Sequence, residues 1–202
     1  MSKIIPFREE IFHQISQIVE SKKAFIFLCG KSGSGKSVLL QRLAEKYHID
    51  FVNENFKDQN FLKEKIEFLV SRDQNLIILD EVGMYDNAML ESLRIYSDTL
   101  SFVLSSHKKL NILKKEHFKS RLSACFELKN ISLLELDEYI KLKFEINFSN
   151  QCLQFLQKIS QGNLRYIDKT LKSFCEIKDF FDKNKSREYI LKLSALENGL
   201  LR

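Results

Sequence analysis

The chain has 202 residues, 44% hydrophobic and 29% charged, with a formal net charge of +5. That length predicts one domain, or one domain with a small appendage, and the composition excludes a disordered tail, a collagen-like chain and a disulfide-dense miniprotein. Six glycines and one proline are too few for the turns of a many-stranded all-β fold, so the place where glycine clusters is informative.

Between Phe7 and Glu20, Ile11, Ile15, Ile18 and Val19 recur at helical spacing. The run 24–29 is apolar without alternation, as expected of a strand buried on both faces. GKSGSGKS follows at 30–37, then a helix carrying Val38, Leu39, Leu40, Leu43 and Ala44. Residues 49–52 predict a second strand, and Phe61, Leu62, Ile66, Leu69 and Val70 an amphipathic helix. A third buried strand over 76–79 ends in Asp80 and Glu81, and Met89, Leu90, Leu93 and Ile95 mark another helix. A fourth strand is expected at 102–104, a basic helix-like stretch at 107–119 and a fifth strand at 124–128. Strands alternating with helices predict a parallel sheet in an α/β fold.

Past residue 130 the strand signals stop. Ser132 and Glu135 have the spacing of a capping box. Apolar residues at helical spacing then continue through Cys152–Ile159, Ile167–Cys175 and Tyr189–Leu200. The expected organisation is an α/β core over 1–130 and a small all-helical domain over 131–202. Cys29, Cys125, Cys152 and Cys175 lie far apart in apolar surroundings, and no cysteine or histidine spacing suits zinc. Reduced thiols in a reducing compartment are expected. With no long apolar run and no signal-peptide core in MSKIIPFREE, the sequence predicts a cytoplasmic chain that reaches a membrane only through a partner.

Three of the six glycines, Gly30, Gly33 and Gly35, fall in a match to GxxxxGK[ST] placed after a strand and before a helix. Backbone N–H groups that wrap a polyphosphate need conformations and close approaches that a Cβ obstructs. The helix opening near Lys36 adds the positive end of its dipole. Residues 30–38 (Gly30, Lys31, Ser32, Gly33, Ser34, Gly35, Lys36, Ser37 and Val38) are therefore the candidate nucleotide-binding segment. Lys36 is expected on the β/γ-phosphates and Ser37 on Mg²⁺. The plainer alternative is a glycine-rich connector.

Asp80 and Glu81 end a buried strand at the carboxyl edge of the sheet, where open α/β folds bind ligands. Asp80 can hold a metal-bound water beside Ser37, and Glu81 can polarise an attacking water. Small kinases share the phosphate loop but must present a second substrate, and a GTPase would need a guanine-reading segment that residues 106–109 do not supply. Ser105 and Ser106 end the fourth strand in hydroxyls, one of which can orient the water. Ser120 and Arg121 precede the fifth strand, and GNLR at 162–165 opens a helix from which Arg165 can reach the phosphates.

In that order these elements resemble the AAA+ ATPases, as Walker A, Walker B, sensor 1, arginine finger and sensor 2. Within that class LIILDEVGMYDNAMLESLRIYSD, LSACFELKNISLLELDEYIKLKF and INFSNQCLQFLQKISQGNLRYIDKTLKSFC resemble the ExeA/GspA-type ATPases of bacterial secretion systems and their TniB-like transposition relatives. Leu164 stands where a proline is usual there, and Ser105-Ser106-His107 where a glycine–glutamine pair is frequent, which leaves the sensor-1 role open between the two serines. The resemblance implies strand order 5-1-4-3-2, a helical lid, ATP/ADP and Mg²⁺ as ligands, and a homo-oligomer when ATP is bound. It further implies that Arg121 acts on a neighbouring subunit, and that Ile4, Ile5 and Pro6 contact the base. For Arg121 the plainer reading is a surface basic residue, and for Arg165 a helix-terminal salt bridge.

Lys108, Lys109, Lys114, Lys115, Lys119 and Arg121 stand against one acid, Glu116, over 107–121. Nucleic acid is one reading of this charge and a solvated or subunit-contact face the other. The expected function is an ATPase that drives a secretion, pilus or DNA-uptake apparatus at the inner membrane through a membrane partner. The alternatives are a DNA-associated ATPase in transposition or replication control, and an ATP-gated adaptor with little hydrolysis.

Overall fold

The computed structural model describes residues 8–56, 58–181 and 185–201. The expected base-contacting residues Ile4, Ile5 and Pro6 lie outside them. Chain packing separates two units: residues 8–31 together with 36–128, and residues 32–35 together with the chain from Lys129 onward.

In the first unit, β1 (Phe25–Gly30), β2 (Phe51–Val52), β3 (Leu76–Leu79), β4 (Ser101–Ser106) and β5 (Ala124–Leu128) form a parallel sheet in the order β2-β3-β4-β1-β5. This is the expected 5-1-4-3-2 order read from the opposite edge. Side chains alternate between the two sheet faces, and both faces are buried. Phe25, Phe27, Ile77, Leu79, Phe102 and Leu104 pack towards α3 (Gln59–Val70) and α4 (Asn87–Tyr96). Ile26, Leu28, Ile78 and Val103 pack towards α1 (Glu9–Ser21) and α2 (Lys36–Tyr47). Double burial is why these strands read as unbroken apolar runs.

Two elements depart from their sequence-based bounds. β4 continues through Ser105 and Ser106, which pair with Leu28 and Cys29 of β1; position in the central ladder carries two residues with little intrinsic strand preference. The basic stretch is not one helix. It holds a 3-10 turn at Asn111–Lys114 and the four-residue α5 (Glu116–Lys119), with Lys115 extended between them. Its buried anchors Ile112, Leu113 and Phe118 do not share one helical face, so a continuous helix could not bury all three.

Among the described residues of the second unit, each helix opens on a side-chain cap. Ser132 and Glu135 form a reciprocal capping box on α6 (Leu133–Phe144), and Ser149 caps α7 (Asn150–Ser160). Asn163 caps α8 (Leu164–Phe180) and Ser186 caps α9 (Arg187–Glu197). Each cap is worth about 1 kcal/mol. Leu136, Ile140, Leu156, Ile167, Leu171, Phe174 and Leu191 make the core of this unit. Within it, the Tyr139 hydroxyl donates to Asp168, and burial pushes that phenol above its ordinary range. No helix among the described residues is long and apolar enough to cross a membrane. Of the four free thiols, Cys29 and Cys152 are buried, while Cys125 and Cys175 are half-buried.

Candidate nucleotide site

The ladder register builds a polar cluster at the sheet edge of the first unit. β3 pairs with β4 up to Leu79 opposite Leu104, so the next residues, Asp80 and Ser105, stand side by side at the carboxyl edge. Both point to the face covered by α2, whose second residue is Ser37. Asp80 is 4% exposed and accepts three hydrogen bonds. The Ser37 hydroxyl donates to Oδ2 at 2.5 Å, the Ser105 hydroxyl donates to Oδ1, and the Glu81 N–H donates to Oδ1 at 3.0 Å. Ser106 points to the opposite face. Its Oγ accepts a long bond from the Lys108 N–H, and a Cβ on Gly83 would lie 2.4 Å from it. The two candidate serines are thus separated by strand parity, and only Ser105 touches Asp80.

Lys36, also 4% exposed, curls its ammonium back over the loop. It donates to the Gly30 carbonyl at 2.8 Å and to the Lys31 carbonyl at 3.3 Å. Glu81 adopts a left-handed backbone (φ 56°, ψ 32°), an uncommon state for a residue with a side chain. Its carboxylate lies 3.1 Å from His107 Nε2, and His107 Nδ1 lies 3.5 Å from Lys36 Nζ. Sequence reasoning missed His107 as a site residue. The signal that could have found it is position, because it directly follows the strand-end serines.

The loop residues of the second unit have conformations that explain the glycines. Gly33 and Gly35 have φ of +77° and +94°, open to glycine at little cost. A Cβ on Gly33 would also lie 1.9 Å from Asn163 Oδ1. Gly30 is different: it is the last residue of β1, opposite Leu128. The Leu164 N–H donates to the Gly33 carbonyl at 2.9 Å, a bond that the proline expected from the resemblance could not make. Arg165 Nη1 reaches Ser32 Oγ at 3.4 Å. The Ser34 hydroxyl is buried without a partner among the described residues. Val38, on α2, is exposed.

Within the first unit, Arg121 is not brought to the Asp80 cluster. It grips Asp98 with two nitrogens, Nε at 2.8 Å and Nη2 at 3.2 Å, and its guanidinium holds the Asp98 carboxyl below its ordinary value. The Tyr85 hydroxyl is also buried without a partner among the described residues, and burial pushes its phenol up.

A phosphate chain fits these residues. The orphaned Ser34 hydroxyl needs a partner, and Gly33 and Gly35 hold positive-φ backbone that glycine adopts at little cost. Among the described residues no three His, Cys, Asp or Glu side chains gather as a metal site. Ser37 and Asp80 suit Mg²⁺ only with phosphate oxygens and water completing the shell, which is how that ion is ordinarily held in nucleotide sites.

Residues 22–140 match the family model described as an AAA domain. The chain belongs to that family. It is an AAA+ ATPase, an ATP-hydrolysing enzyme with a P-loop α/β fold. Solved structures agree on the fold. The Thermotoga maritima RuvB Holliday junction branch migration motor aligns with a TM-score of 0.71 at 18% identity, covering 94% of this chain and 69% of that one. The P216G mutant of Thermotoga maritima RuvB gives 0.73 at 17%, covering 95% and 70%. Aeropyrum pernix ORC1, solved in complex with DNA, gives 0.64 at 14%, covering 94% and 65%. No curated protein matches the sequence.

Proposed function

We propose that this AAA+ ATPase is a DNA-associated enzyme that couples hydrolysis of Mg²⁺-bound ATP to a change in its helical unit. The observation that carries the hydrolytic half is the convergence of Lys36, Ser37, Asp80, Glu81 and Ser105 at one sheet edge. Lys36 leaves the loop carbonyls for the β/γ-phosphates, exchanging neutral acceptors for charged ones. Ser37 and Asp80 would hold Mg²⁺, which would supply neutralisation of phosphate charge. Ser105 fixes the Asp80 carboxylate and is the sensor-1 residue. Glu81 accepts a proton from the attacking water as its oxygen bonds to the γ-phosphorus and the bond to the ADP oxygen breaks. Arg165, beside Ser32 of the loop, serves the phosphates from the 131–202 lid, and Arg121 serves a neighbouring subunit after releasing Asp98. Lys36→Ala should abolish nucleotide binding. Glu81→Gln should retain binding and lose turnover, and retained turnover in both would reject the assignment.

DNA is favoured by charge and supported by the fold neighbours, which include a Holliday junction motor and a DNA complex. Lys108, Lys109, Lys114 and Lys115 are exposed on a segment pinned by Ile112, Leu113 and Phe118. Lys119 is paired with Glu116 and Arg121 with Asp98. Replacing the four exposed lysines by alanine should weaken duplex binding and reduce its log–log salt slope by about 3–4. Absence of binding at low salt would reject the DNA reading. A second reading, assembly of a secretion or DNA-uptake apparatus as a homo-oligomer at the inner membrane, rests on the three ExeA/TniB-like stretches. Recovery of an inner-membrane secretion component with the Glu81→Gln protein in ATP would favour it.

A further inference from the structure

His107 touches both the phosphate-binding cation and the base. Lys36 can only donate, so His107 Nδ1, 3.5 Å from Lys36 Nζ, must present its lone pair. The ring proton is then on Nε2, which donates to Glu81 Oε2 at 3.1 Å. A single neutral imidazole thus bridges an ammonium and a carboxylate. It belongs neither to the phosphate loop nor to the residues that hold Mg²⁺.

We propose that His107 is a positioning residue that keeps Glu81 off the hydrolytic line until Lys36 has engaged a phosphate; this rests on the roles proposed above for Lys36 and Glu81. The water that attacks a γ-phosphate held by Lys36 must lie between that phosphate and Glu81. In the structure the His107 ring lies between Lys36 and Glu81, and one Glu81 oxygen is occupied by its N–H. The Glu81 backbone has little freedom to escape, since its own N–H is bound to Asp80 Oδ1. Release must therefore come from the imidazole, whose side chain is 49% exposed and can turn into solvent. A phosphate oxygen is a stronger acceptor for the Lys36 ammonium than a neutral ring nitrogen. Once Lys36 moves to it, the ring keeps one hydrogen bond instead of two, and water can replace that one.

The test is steady-state ATP turnover of the full chain, with ATP affinity measured directly. In His107→Ala, basal kcat should rise about five-fold, the worth of the one hydrogen bond of average strength that the ring still keeps to Glu81 after Lys36 has left it, while KM moves little. His107→Gln, which keeps an N–H donor for Glu81 and a carbonyl for Lys36, should return to the wild-type rate. In a Glu81→Gln background, His107→Ala should bring no gain. A fall or no change in kcat for His107→Ala, or a gain that survives Glu81→Gln, overturns the inference while leaving the proposed function standing. Failure of the wild-type chain to bind ATP overturns both.

Discussion

Ser105→Ala removes one hydroxyl from a fully buried position, and its effect can be worked from the bonds around Asp80. The carboxylate keeps the Ser37 hydroxyl and the Glu81 N–H but loses its third donor at a position where both residues are buried. A hydrogen bond to a charged acceptor is worth about 1.5–3 kcal/mol, so a loss near 2 kcal/mol is expected. For a chain of this size that lowers Tm by about 4–8 °C. Turnover should fall as well, because Asp80 is free to rotate away from Ser37. Ser106→Ala removes only the acceptor of a 3.4 Å bond from the Lys108 N–H and should cost less than about 1 kcal/mol. Differential scanning calorimetry and ATP turnover on both variants decide the matter. A Ser106→Ala protein as destabilised and as slow as Ser105→Ala would refute the parity argument and the sensor assignment together.

Gly33→Ala must place a side chain at φ +77° and 1.9 Å from Asn163 Oδ1; a loss above about 1 kcal/mol and failure to bind ATP are expected in melting and nucleotide titration. Leu164→Pro should be tolerated, since Asn163 already has the extended backbone that precedes proline (φ −82°, ψ 112°) and the first helical position accepts it. Its cost is the bond to the Gly33 carbonyl plus part of a buried side chain, about 1–2 kcal/mol. Loss of helical circular dichroism would contradict this. The Arg121 guanidinium lowers the Asp98 carboxyl below its ordinary 3.8. The stability this pair contributes is therefore present above that pH and disappears as pH falls through the lowered folded value. A Tm gap between wild type and Asp98→Asn should accordingly be open at neutral pH and close in strong acid. A gap that widens on acidification would reverse the sign.

The fold was legible because its strands are buried on both faces. Runs such as 24–29 and 76–79 need no partner to be recognised, and the GxxxxGK[ST] spacing between strand and helix identifies the loop. The capping box at Ser132 was local as well. Less legible was the basic stretch, where a charge run suggested a helix but three buried anchors on different faces imposed a turn, an extended residue and a short helix. Arg121 was marked by its place before the fifth strand, whereas its carboxylate partner lies 23 residues away at the end of α4, a distance no local pattern spans.

By itself, then, the amino-acid order determined the strand–loop–helix segment that is the candidate phosphate loop, the acidic strand end, the parallel sheet and the run of helices after residue 130, all of which rest on periodicity and spacing within short windows. It left the two serines equivalent and passed over His107 as a site residue. Register across β3 and β4 decided between the serines, because facing positions on adjacent strands share a side of the sheet and successive positions do not. Tertiary packing alone put the His107 ring against both Lys36 and Glu81, which come from elements 45 residues apart in the sequence.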